Sequence, residues 1–176
     1  MKFSKMLLSL AIISFSGLAS AQSEGNGSLQ RVQLSASLLN EKGEAFCNSL
    51  WSFRVSGRPE LCKAVLKIEN RIILELMNKG PGYDILRAEY IDASEKLCSS
   101  LIYNFATAKA KGCWNVALSK VSSFDDLAKS EISTVDLHLK DLEEKKSAYC
   151  RALHSESCVS LQNSFLQVIT ELAKVN

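Results

Sequence analysis

Catalytic signatures are what this sequence most lacks. It has no G-x-S-x-G, P-loop, G-x-G-x-x-G or H-E-x-x-H motif, so nothing signals a nucleophile elbow, a phosphate cradle, a dinucleotide turn or a zinc helix. Histidine occurs only twice, at His138 and His154. There are six cysteines but no C-x-x-C and no Cys/His cluster at zinc spacing, which argues against metal binding and thiol exchange. No cofactor is expected. Strand-like alternation is also scarce. Only Val32, Leu34, Ala36 and Leu38 show it.

Long apolar runs are missing after residue 21. Before it, Lys2 and Lys5 precede an apolar run from Met6 to Leu18, and Ala19-Ser20-Ala21 offers a small-x-small cleavage site. These are the parts of a secretory signal peptide, and the run is short for a membrane span. No cysteine stands at the cleavage point, which argues against a bacterial lipoprotein. Removing residues 1–21 leaves 155 residues, with 19 basic side chains against 19 acidic ones. A nucleic-acid partner is not expected without a basic excess. The length suits one domain. Residues 22–28, QSEGNGS, are expected to be disordered.

What is present is a cysteine pattern. Fourteen residues separate Cys47 from Cys62, fourteen separate Cys98 from Cys113, and seven separate Cys150 from Cys158. The first cysteines of these pairs are 51 and 52 residues apart. Around them the same positions are apolar each time. Val32, Tyr83 and Val135 stand fifteen residues before, and Leu39, Tyr90 and Leu142 eight before. Phe46, Leu97 and Tyr149 stand one before, and Leu50, Leu101 and Leu153 three after. After the second cysteines come Val65, Val116 and Leu161, then Ile73, Phe124 and Ile169, then Leu76, Leu127 and Leu172. Glu75, Asp126 and Glu171 precede those last leucines. Such spacing holds one helical face toward a core. The expected fold is all-α: three disulfide-bridged antiparallel helical hairpins, about six helices, forming a short repeat array or an irregular bundle. One domain, 29–176, would hold three degenerate repeats at 29–79, 80–130 and 131–176.

The expected helices are 30–54, 59–79, 83–108, 112–129, 132–153 and 156–174. Pro59 suits a first helical position, Gly80-Pro81-Gly82 stops a helix, and Gly112 is placed in the second turn. Ser122-Ser123 is a candidate break. In a hairpin, facing residues stand at equal height above the turn. The third unit is shorter by seven residues between its cysteines, one helical turn from each arm, so its cysteines still face each other. Cys47–Cys62, Cys98–Cys113 and Cys150–Cys158 are therefore the expected bridges. An even cysteine count in an exported chain also points to stapling.

The third unit, YCRALHSESCVSLQ, resembles the disulfide-bridged helical hairpins of Sel1-like repeats in secreted cysteine-rich bacterial proteins. The resemblance implies hairpin construction over that segment and transfers no functional residue. The repeat here is longer, the Gly-rich turn is missing, and the first two units have C-x14-C.

Candidate binding residues gather at the hairpin tips. Arg54, Arg58 and Lys63 crowd the first, Lys109 and Lys111 the second, and Arg151 with His154 the third. Trp51, Phe53, Tyr103, Phe105 and Trp114 add aromatic surface there. The expected partner contacts are Trp51, Arg54, Arg58, Tyr103, Lys109, Lys111 and Trp114, on a basic-aromatic rim for an unknown protein or an anionic envelope component. Acidic pairs, Asp125-Asp126 and Glu143-Glu144, read as solvated faces, because adjacent helical side chains diverge. His138 reads as a solvated helix-face residue near Asp141. The functional expectation is an exported, non-enzymatic binding protein, periplasmic or secreted. A small hydrolase using His154 with a neighbouring serine or Glu, and a self-associating envelope protein, are the alternatives.

Overall fold

The computed structural model describes residues 16–50, 58–101 and 107–175. They form six helices and, among the described residues, no strand: α1 (Ser16–Ser49), α2 (Arg58–Met77), α3 (Tyr83–Ser100), α4 (Thr107–Ala128), α5 (Ile132–Leu153) and α6 (Glu156–Val175). The three disulfides join Cys47 to Cys62, Cys98 to Cys113 and Cys150 to Cys158, with Cα atoms 5.4, 5.5 and 5.4 Å apart. Equal height above the turn therefore gives the pairing, in the short third hairpin as in the two longer ones.

The hairpins pack as a bundle whose chain order closes on itself. Helix α3 lies between α2 and α4, α5 between α4 and α6, and α1 between α6 and α2. Helix α4 also touches α2 and α6 across the middle. The arrangement is thus a closed ring rather than an open array. The apolar positions counted from the cysteines supply its core. Val32, Leu39, Ile73, Leu142, Phe165 and Leu172 are fully buried, and Tyr90 and Phe124 nearly so. Tyr90, Phe124 and Phe165 meet edge to face, with ring centroids 6.0 and 5.4 Å apart, the geometry aromatic quadrupoles favour.

Several boundaries differ from expectation. Residues 22–28, expected to be disordered, continue α1 as helix. No proline interrupts them, and a helix nucleated on a packed segment extends at one hydrogen bond per residue. Residues 1–15, which include most of the expected signal segment, lie outside the described residues. Helix α3 stops at Ser100 and α4 starts at Thr107, so Gly112 lies inside α4 and not in the turn. A Cβ there would stand 3.2 Å from Tyr149 Cδ2, so the glycine lets α4 and α5 approach closely. The Ser122-Ser123 pair does not break α4. Both hydroxyls donate one turn back, to the carbonyls of Leu118 and Ser119 at 3.2 and 3.1 Å, and the backbone ladder stays intact.

The two arms of each hairpin touch one another less than adjoining hairpins do, so losing a staple should register. Replacing Cys98 and Cys113 together by serine should lower the unfolding free energy by about 2–4 kcal/mol. The shift of the urea midpoint at unchanged slope measures it, and an unmoved midpoint would show that the bridge adds nothing.

Candidate functional site

Counted from the second cysteine of each hairpin, the residue seven places on is Glu69, Lys120 or Phe165. The fold brings these three together at the centre of the ring. Lys120 Nζ donates to Glu69 Oε1 and Oε2 at 2.9 and 3.2 Å, and it lies 4.2 Å from the Phe165 ring centroid. The two charged side chains are only 4% and 3% exposed. Sequence reading passed over both residues, because a search for apolar positions finds only Phe165 at that offset. The common count from the cysteine is the signal that could have found them. Tyr90, packed on the same cluster, has its phenol pushed well above the ordinary range by burial and by the nearby Glu69 carboxylate. Burial alone does the same to Tyr149.

Toward the end of the bundle away from the disulfides lies an open polar groove of about 590 Å³, lined by Lys79, Tyr83, Arg87, Asp125 and Lys129 among others. Asp125 is its hub. Tyr83 donates to Oδ1 at 2.6 Å, while Arg87 grips both oxygens through Nε at 2.7 Å and Nη2 at 3.0 Å. Partial burial pushes the Asp125 carboxyl upward, but the hydrogen bonds from Arg87 and Tyr83 outweigh it and hold the group below its ordinary range. Its neighbour Asp126 is buried and meets His138 Nδ1 at 2.6 Å. These carboxylates do diverge, but they are not the solvated face expected. One clasps α3 and the other α5. His138 likewise bridges to α4 through Asp126, while its charge also bears on Asp141.

The expected tip residues separate. Trp51, Arg54 and Tyr103 lie outside the described residues. Arg58 is 3% exposed and donates through Nε and Nη2 to the Ser100 carbonyl at 2.9 and 2.7 Å. It ties α2 to the C-terminal end of α3, where the helix dipole favours a cation, and so is not an accessible rim charge. Trp114 is half-buried and packs on the core, Lys109 is half-buried, and Lys111 is exposed.

His154 sits at the left-handed end of α5, with φ of 51°, and is exposed. Ser155 caps α6, its Oγ accepting from the Cys158 N–H at 3.2 Å. Ser157 donates to Ser49 Oγ at 3.2 Å. No hydrogen bond from a serine or carboxylate to His154 is made among the described residues. Nor do three His, Cys, Asp or Glu side chains gather there, or elsewhere among the described residues, in a way that could hold a metal ion.

The chain matches no protein-family model, no curated protein and no solved structure. The resemblance of the third hairpin to Sel1-like repeats therefore bears on its construction alone.

Two outcomes follow from these geometries. Glu69→Ala should destabilise by about 3–5 kcal/mol, because it strands a buried ammonium, while Glu69→Leu with Lys120→Met should cost far less than the two single changes summed. A double-mutant cycle by urea unfolding reads the difference, and additive costs would refute the coupling. Because the Asp125 pKa is depressed in the fold, its contribution is present above the unfolded carboxylate pKa and fades as pH falls through the folded value. Asp125→Ala should cost about 1–3 kcal/mol at neutral pH and flatten the loss of stability on acidification below about pH 4. Chemical unfolding across that range measures both.

Proposed function

We propose that this chain is an exported, non-enzymatic binding protein of a bacterial periplasm or the extracellular space, built from three degenerate copies of one hairpin and acting through their outer faces. The three disulfides support the compartment, since such bonds persist where the surroundings are oxidising. Among the described residues, no helix is long and apolar enough to cross a membrane.

One observation carries the binding reading. Leu34, Ile85 and Leu137 are 72%, 68% and 64% exposed, and each stands thirteen residues before the first cysteine of its hairpin. Single exposed aliphatics are ordinary. Three at one offset, each two residues beyond a core position, are not accounted for by internal packing. Beside Ile85, the half-exposed Leu74 widens the apolar surface along an open groove between α2 and α3, with Arg71 at its edge. The reading therefore favours the sides of the hairpins over their tips, and a protein partner with aliphatic surface over a purely anionic one.

The test is in-cell photo-crosslinking from positions 34, 85 and 137, with identification of the captured species. Discrete adducts with one protein, lost on changing Leu34, Ile85 and Leu137 together to glutamine, are expected. Adducts with a second copy of this chain would instead favour a self-associating envelope protein. No discrete adduct from any of the three positions would refute the reading.

A further inference from the structure

Next to the Glu69–Lys120 pair the bundle leaves a partly open hollow of about 50 Å³, whose mainly apolar wall also carries Glu69, Tyr90, Ser94, Lys120, Tyr149 and Gln162. Gln162 Oε1 is buried without a hydrogen-bond partner in the protein, and Ser94 Oγ, which lies beside the Tyr90 phenol, makes no hydrogen bond of full geometry; the two residues are 3% and 2% exposed. The chamber arises from side-chain size. Four places after the second cysteines stand Leu66, Ala117 and Gln162, and Ala117 leaves room that a leucine would fill. Leu66, itself part of the wall, packs over Gly43, where a Cβ would come within 2.5 Å of both its methyl carbons.

We propose that this chamber is a hydration site, holding one or two water molecules that bridge Ser94 Oγ and Gln162 Oε1 beside the central ion pair. The volume decides the class of ligand. It is far below the several hundred Å³, about 300 or more, that organic ligands need, and it matches one or two waters at about 30 Å³ each. The wall is mainly apolar, and it is the unpartnered Gln162 Oε1 that argues against a dry void, because a buried polar atom left without a hydrogen bond is costly. A water donates to the Gln162 carbonyl oxygen, exchanges a hydrogen bond with the Ser94 hydroxyl, and has two phenols and a carboxylate within the same wall. Buried waters make two to four such bonds. Their dipoles also turn toward the Glu69–Lys120 pair, giving the charges solvent that the apolar core cannot supply.

High-resolution crystals of the oxidised full-length chain, with and without xenon pressurisation, test this. The expected result is a water peak within hydrogen-bond distance of both Ser94 Oγ and Gln162 Oε1, and no xenon in the chamber. In Ser94→Ala with Gln162→Leu, that peak should be lost. Xenon bound in the wild-type chamber would overturn the proposal. So would a Gln162 side chain turned out to solvent, or a peak that survives the double change. Should the double variant fail to fold, the water peak and the xenon result on the wild-type chain still decide it.

Discussion

A charge taken out of water must find its partners inside the protein or cost more than most domains can spare. Lys120 is such a charge, and three hairpins are needed to house it. Its own hairpin carries it on α4, the first supplies the Glu69 carboxylate on α2, and the third supplies the Phe165 face on α6. The ion pair draws α2 to α4, the ring contact draws α6 to the same point, and the aromatic cluster of Tyr90, Phe124 and Phe165 encloses it. Three identical hairpins could close a similar ring, but they would put three copies of one side chain at its centre. A Glu–Lys–Phe contact is open only to a chain whose three hairpins differ there.

The same logic repeats in weaker form around the ring. Glu75, Asp126 and Glu171 occupy one offset from their cysteines, and each reaches across to the hairpin that follows. Glu75 accepts from the Gly82 N–H at the start of α3, Asp126 meets His138 on α5, and Glu171 accepts from Arg31 on α1. The Arg31–Glu171 link is half in solvent and worth little alone. Its place matters more, because it joins the last helix to the first.

The bridging pattern and the core were legible in the sequence because both depend on spacing alone. Equal height fixes which cysteines can meet, and the apolar stripe fixes which side chains turn inward. Polar residues were far less legible. Nothing in the run SFDDLAKS tells that Asp125 will clasp Arg87 on one side while Asp126 takes His138 on the other, because the partners are chosen by tertiary approach. Arg58 reads as a tip charge until α3 is seen to end beside it. Gly112 reads as a turn until Tyr149 is seen to press on it. Helix ends are hard to read for a related reason: the segment between Ser100 and Thr107 has no proline or glycine to mark where one arm stops.

Helix α6 lying along α1 has a consequence for how the chain acquires its structure. The apolar stripe of α1, with Val32 and Leu39 at its centre, is covered in part by residues more than a hundred positions later. Closing so distant a contact is entropically slow, so α1 must wait, half dressed by α2 alone, until α6 has been made. A chain cut short before α6 would leave that flank bare, and α1, made ahead of the other five helices, is among the last of them to be sheltered.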